Sequence, residues 1–277
     1  MATSPGSPRS WSGRMPPWAQ VVARGGRDLV DLVLPRSCAG CGHPGPGWCP
    51  ECVAELSASL WDRPRAVLPT PSPPGLPPVV ASGPYSGILR RLVVAYKDSG
   101  VLPIRGVLAP VLASSLTALG QSLVAPSDRR QRTGRQPGEV SGHPILLVPA
   151  PSSRSSIRAR GGHLVADLTA DAAGRVSSPY VVCSALVVAR RVADQSGLSS
   201  RERAGNVDGA YAVPPRHTSR LVDRPVILVD DVMTTGATLV EATRALSEAG
   251  AIVLGAAVVA ATPRRGDSGT APDRPLD

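Results

Sequence analysis

Apolar residues along the chain fall into two patterns: short unbroken runs and longer stretches at helical spacing. Residues 145–148 and 226–229 are continuous apolar runs, the mark of strands buried on both faces of a parallel sheet. A further strand is predicted within 181–188 and a last one over 251–261. Ile88, Leu89, Leu92, Val93 and Tyr96 recur at helical spacing, which predicts an amphipathic helix over 86–97. Helices are also predicted over 103–119 and 163–174. After the 226–229 run, Leu239, Ala242, Leu246 and Ala249 share one helix face. Strands alternating with helices predict an α/β fold, a parallel sheet with right-handed crossovers and flanking helices.

The pattern fades at both ends and in two internal stretches. Residues 1–26 read as a disordered tail, and 27–61 as a small cysteine-bearing module with a short helix over 53–61. Prolines at 64, 69, 71, 73, 74, 77 and 78 make 62–78 an extended, semi-rigid linker. The main domain is expected over 79–262, with 125–144 a disordered insertion and 263–277 a disordered tail. No apolar run approaches the ~20 residues of a membrane span, and 1–20 lacks the apolar segment of a secretory signal. The expectation is a cytoplasmic protein with no membrane partner, its cysteines reduced or bound to metal.

The 226–229 run ends in two adjacent acids, Asp230 and Asp231, followed by Thr234, Thr235, Gly236, Ala237 and Thr238 at the start of a helix. Hydroxyls and free N–H groups in such a loop can wrap a phosphate, and Gly236 allows the backbone to approach it. The acids would repel that phosphate unless they faced ribose hydroxyls or a magnesium ion, and a sugar phosphate satisfies both halves. The stretch resembles the 5-phosphoribosyl-1-pyrophosphate (PRPP) motif of the type I phosphoribosyltransferases. The resemblance implies that Asp230 and Asp231 contact the ribose hydroxyls, as the catalytic pair, and that Thr234 to Thr238 hold the 5-phosphate. A Rossmann dinucleotide site is disfavoured, because the spaced glycines that approach a pyrophosphate are missing.

Charge sharpens this picture. The net charge is +9 and the basic residues are arginines save one, Lys97. Arginine forks suit bidentate phosphate contacts, so phosphorylated ligands or nucleic acid fit the balance. After the 145–148 strand come Ser152, Ser153 and Arg154, then Arg158, Arg160, Gly161 and Gly162. In a parallel sheet they share the rim of the acid motif, where Ser152, Ser153 and Arg154 could hold a pyrophosphate; a solvated basic loop is the alternative. The polar stretch 190–207 reads either as a lid that excludes water or as a linker.

Cys38 and Cys41, then Cys49 and Cys52, form two C-x-x-C pairs. Two such pairs complete one tetrahedral four-cysteine zinc site with no place for water, hence a structural one. A disulfide or redox dithiol is the alternative, and the cytoplasmic expectation weighs against it. His43 reads as a bystander, and Cys183 as a core thiol inside an apolar strand.

In order along the chain, several segments resemble the ComF family of competence-associated phosphoribosyltransferase-like proteins. They are Leu32-Val-Leu-Pro before the cysteine quartet, Tyr85-Ser-Gly-Ile-Leu-Arg90 leading to Tyr96-Lys97, and Val148-Pro-Ala-Pro with its arginines. Gln195, Leu198, Arg203 and Asn206, and the acid motif itself, complete the series. One departure stands out: Arg160-Gly161 is followed by Gly162-His163 where the family carries phenylalanine and asparagine. The resemblance implies a type I phosphoribosyltransferase fold, PRPP binding with magnesium and, in some members, a role in handling single-stranded DNA.

Three functions follow as expectations. The first is a phosphoribosyltransferase that displaces pyrophosphate from PRPP toward an unspecified acceptor. The second is a PRPP-responsive module for single-stranded DNA, favoured by charge but poor in aromatic residues, at 3%, for base stacking. The third, a purely structural zinc adaptor, leaves the acid motif without a use.

Overall fold

A computed structural model describes residues 38, 40–44, 48–99, 102–124, 139–140, 143–151, 162–189 and 209–263. The chain divides into two compact units, Met1–Cys49 and Pro50–Asp277. In the second, the order is α1 (Pro50–Ser59), β1 (Arg65–Val67), β2 (Val79–Pro84), α2 (Gly87–Ser99) and α3 (Leu102–Val124), then β3 (Glu139–Val140) and β4 (His143–Pro144). There follow β5 (Leu146–Pro149), α4 (Leu164–Ala173), β6 (Val181–Val182), β7 (Val187–Val188), β8 (Tyr211–Ala212), α5 (Pro215–Thr218), β9 (Pro225–Met233), α6 (Ala237–Glu248) and β10 (Ile252–Ala261).

Six of these strands form one sheet in the order β1-β2-β10-β9-β5-β6. All neighbours are parallel except β1, which runs antiparallel along β2. Alternation along the strands makes two apolar faces. Val79, Ala81, Leu146, Val148, Val226, Leu228, Ala256 and Val258 share a buried cluster with Leu239, Ala242, Ala245 and Leu246 of α6. The opposite face meets α3, where Ser82 Oγ donates to the Val111 carbonyl at 2.7 Å and Ser115 Oγ to the Val258 carbonyl at 2.8 Å. These hydroxyls satisfy polar groups that burial would otherwise leave unpaired.

The expected mostly parallel, helix-flanked sheet is therefore present, and several boundaries are corrected. The stretch 62–78 is not a bare linker: Arg65–Val67 pairs with Val79–Ala81 and closes the open edge of β2. Short edge strands of this kind protect backbone groups that would otherwise be free to pair elsewhere. The end of the 125–144 insertion carries a small antiparallel ladder, β3 on β4; residues 125–138 lie outside the described residues. The single strand expected within 181–188 is two pieces, β6 on the main sheet and β7 paired with β8.

Helix α3 extends past the predicted 103–119, and within it Ile104–Leu123 is 20 residues of sufficient length and hydropathy to cross a membrane. The sequence reading missed it because small and hydroxyl residues interrupt the apolar run. Half of that stretch is buried inside the fold. Leu108, Leu112, Leu116 and Leu119 are all nearly inaccessible, as in a helix covered by a sheet on one side and by α4 on another.

Candidate functional site

The acids do not terminate their strand. β9 continues to Met233, with Asp230 opposite Val258 and Val232 opposite Ala260. The unbroken apolar run explains the strand, and pairing with the longer β10 explains why it continues past the acids. Thr234 and Thr235 then lead into Gly236, whose φ of +80° turns the chain into α6. Two observations favour glycine there. The left-handed conformation disfavours side chains, and a Cβ would lie 2.9 Å from Leu76 Cδ1. So the stretch read as a linker packs beneath the loop.

Among the described residues no side chain caps the N-terminus of helix α6, and its first turn holds no acid. Ala237 N–H makes only a long, 3.4 Å bond to Thr235 Oγ1. A 12-residue helix ending this way presents free donors and the positive end of its dipole to whatever lies beyond Thr234.

What lies there is set by topology. From β5 the chain crosses to β6 on one side, and from β9 to β10 on the other, so β5 and β9 flank the switch point of the sheet. In doubly wound sheets the crevice for ligands opens outside the carboxyl ends of the strands at this point. A cavity of about 280 Å³ is found there, lined by Ala150 and Pro151 after β5, by Asp230 and Asp231 near the end of β9, and by Thr234 and Thr238 beyond it. Tyr85, Lys97, Val165 and Tyr211 complete much of its wall.

Both carboxylates are buried, Asp230 at 8% and Asp231 at 3% exposure. Neighbouring strand positions send them to opposite faces. Asp231 meets α2, where Lys97 Nζ lies 3.0 Å from its Oδ1. Asp230 accepts the Asp231 N–H at 2.8 Å. Burial, and then the charge of Asp231, push Asp230 up to about 7, with Lys97 opposing. Burial lowers the affinity of Lys97 for its proton, but Asp231 and Asp230 more than offset it, and its value is raised. Tyr211 is also raised, by burial first and then by Asp230, while a hydrogen bond with Thr238 opposes.

Tyr211 is held by its backbone. Its N–H donates to Glu241 Oε1 at 2.9 Å, and its carbonyl accepts from Arg244 Nη2 at 3.0 Å. Arg244 in turn grips the Glu241 carboxylate with Nε and Nη2, both at 2.7 Å. The second turn of α6 thus ties β8 to the helix whose first turn faces the cavity.

The structure brings Asp230, Asp231, Thr234 and Thr238 to one cavity, with Thr235, Gly236 and Ala237 forming the turn behind it. Ser152, Ser153 and Arg154 lie outside the described residues, as do Arg158, Arg160, Gly161 and 190–207. Lys97, Tyr211 and Glu241 drew no site assignment from the sequence. Only Lys97 carried a signal, as the single lysine of the chain.

The four cysteines also converge. The Sγ atoms of Cys38, Cys41, Cys49 and Cys52 all lie within 4.8 Å of one another. Cys38 and Cys49 are 3.6 Å apart and Cys41 and Cys49 3.7 Å, close to the about 3.8 Å edge of a tetrahedron with Zn–S bonds of about 2.3 Å. Gly42, at φ +77°, closes the turn, with its N–H on the Cys38 carbonyl at 2.7 Å. Burial opposes ionisation of Cys38, but N–H groups of Cys49, Cys41 and Gly40 aimed at its sulfur bring it down to about 6. A thiolate there suits a cation. Cys183, expected inside a strand, instead follows β6 and is half-buried against the core, with its N–H on the Leu147 carbonyl at 2.9 Å.

Residues 159–275 match the family model of the phosphoribosyl transferase domain, a stretch that takes in β6 to β10 and the whole acid and threonine loop. None of the curated proteins is similar enough to the chain to count as a match. The chain is phosphoribosyltransferase-like over that stretch, on a mostly parallel sheet, and carries a four-cysteine cluster besides.

Proposed function

We infer that the protein binds PRPP together with magnesium and transfers its phosphoribosyl group to an acceptor. One observation carries this reading: buried Asp230 and Asp231 and the uncapped start of α6 line a single cavity at the switch point of the sheet. The ribose hydroxyls donate to the two carboxylates, and the 5-phosphate sits on the N–H groups and hydroxyls of Thr234 to Thr238. Departure of pyrophosphate leaves positive charge on the sugar ring, and fixed carboxylates close to it stabilise that charge without reorganising. A magnesium ion bound with the ligand would offset the charge of the leaving group. Orientation over a preformed cavity supplies much of the rest.

Within this class the ordered motifs and the cysteine quartet favour a ComF-like protein with one structural zinc on Cys38, Cys41, Cys49 and Cys52. Four thiols at metal spacing favour a reducing compartment, the cytoplasm. Calorimetry with Mg–PRPP tests binding, and pyrophosphate release over a panel of nucleobases tests transfer. Binding without release on any acceptor favours the second reading, a PRPP-responsive binder of single-stranded DNA. Its specific support is a surface groove away from the acids, lined by exposed Arg63 and Arg175 with Ser114, Thr117 and Gln121. DNA affinity there should fall steeply with salt as counterions are released. Salt-independent binding, or none at low salt, removes that reading.

A further inference from the structure

Two buried acids are a poor floor for a polyanion. Among the described residues lining the cavity, Lys97 is the only cation. Its side chain is 41% exposed and lines the cavity, whereas that of its partner Asp231 is 4% exposed, so a ligand can reach Lys97 more readily than the carboxylate. Strand alternation sets the direction. Asp230 belongs to the sheet face covered by α6, where the 5-phosphate donors stand, and Asp231 to the face of α2 and Lys97. A ribose lying across the acid pair, with its 5-phosphate at α6, therefore turns its other anionic substituent toward Lys97 and the Ala150–Pro151 rim.

We propose that Lys97 is a cation that binds the pyrophosphate of PRPP, exchanging Asp231 for the ligand on entry; this rests on reading the cavity as the PRPP site. In the free protein Lys97 neutralises Asp231, which leaves no unpaired charge buried at that position. On binding, ribose hydroxyls take its place on Asp231, and the ammonium moves to the diphosphate. A lysine suits the exchange better than an arginine, because it is a compact charge on a flexible stem with no planar fork to realign. No covalent bond is made or broken in the step.

Two ligands separate the roles, since ribose 5-phosphate shares everything with PRPP except the pyrophosphate. By calorimetry on the full chain, Lys97→Met should lower Mg–PRPP affinity at least tenfold and ribose 5-phosphate affinity less than threefold. Equal losses would show that Lys97 only organises the acid pair, and no loss with either ligand would show that it touches nothing; both overturn the proposal. Wild-type protein that fails to bind Mg–PRPP overturns the reading of the cavity instead. A second measurement needs no variant. Because Lys97 is the only lysine, an amine-acylating reagent marks one internal peptide, read by mass spectrometry. Saturating Mg–PRPP should slow that acylation at least tenfold while ribose 5-phosphate does not slow it. Equal protection by the two ligands, or none by PRPP that binds, overturns the proposal.

Discussion

The backbone N–H of Tyr211 donates to Oε1 of Glu241 at 2.9 Å, across 30 residues of sequence. Glu241 is buried at 4% exposure, and Arg244 and the Gly209 backbone also hold its carboxylate. Burial alone would raise its pKa, but the Arg244 and Tyr211 bonds prevail and the value is lowered. Glu241→Ala leaves an amide N–H and half a guanidinium without their acceptor, which should cost about 1–3 kcal/mol in chemical denaturation. Glu241→Gln keeps an acceptor for Tyr211 and should cost less. A lowered folded pKa means that the stabilisation is fully present above the ordinary 4.5 and is lost as pH falls from there through the lowered folded value. Equal stability of wild type and the alanine variant at pH 7 would remove Glu241 from this role.

Asp230 should make the protein pH-sensitive in two opposite ways. Its folded pKa of about 7 stands above the ordinary 3.8, so the folded state keeps a proton that the unfolded chain has released. Stability from that proton is complete below about 4 and is lost as pH rises toward 7. Asp230→Asn should flatten this slope, seen by comparing denaturation at pH 5 and pH 8. Ligand affinity should run the other way, rising through about pH 7, because an ionised acceptor holds a hydroxyl more strongly. A wild-type stability slope identical to that of the variant would show that Asp230 is ionised throughout.

For the acid pair together, losing a charged hydrogen bond costs about 1.5–3 kcal/mol. Asp230→Asn with Asp231→Asn should therefore weaken Mg–PRPP binding at least about tenfold, with the fold intact by circular dichroism. Undiminished affinity in the double variant would mean that the ribose contacts lie elsewhere.

Gly236 offers a test that separates backbone from contact. Gly236→Ala places a Cβ 2.9 Å from Leu76 Cδ1 and forces a side chain to φ +80°. The left-handed conformation alone costs about 1–2 kcal/mol, and the clash adds to it. Pairing Gly236→Ala with Leu76→Ala should relieve the clash and leave the conformational cost, so the two changes should be non-additive in thermal denaturation. Additive effects would mean that Leu76 does not press on the loop. A larger change such as Gly236→Val disturbs this packing as well as the phosphate, so it is the poorer probe of binding.

Purified under reducing conditions, the protein should carry about one zinc per chain by elemental analysis. Cys49→Ser should reduce that content and lower the thermal stability of the cysteine segment, whereas Cys183→Ser, far from the cluster in sequence and half-buried against the core, should leave metal content unchanged. Metal-free protein from a zinc-replete preparation would refute the site.

Sequence alone determined what short-range chemistry determines. An unbroken apolar run makes 226–229 a buried strand wherever it is placed, and Thr-Thr-Gly-Ala-Thr makes a turn into a helix with free N–H groups. The C-x-x-C spacing brings each cysteine pair within reach of one ion. None of these depends on a distant partner. The tertiary structure decided what does depend on one. Asp231 lies 134 positions from Lys97, and their 3.0 Å contact exists because β9 and β2 occupy the same sheet with α2 packed near the carboxyl edge. Glu241 and Tyr211 meet only because β8 folds back on α6. The proline-rich stretch became part of the domain because β2 had an open edge for Arg65–Val67 to pair with and the Gly236 turn had room for Leu76. Strand order and crossover direction, which periodicity does not encode, set those meetings.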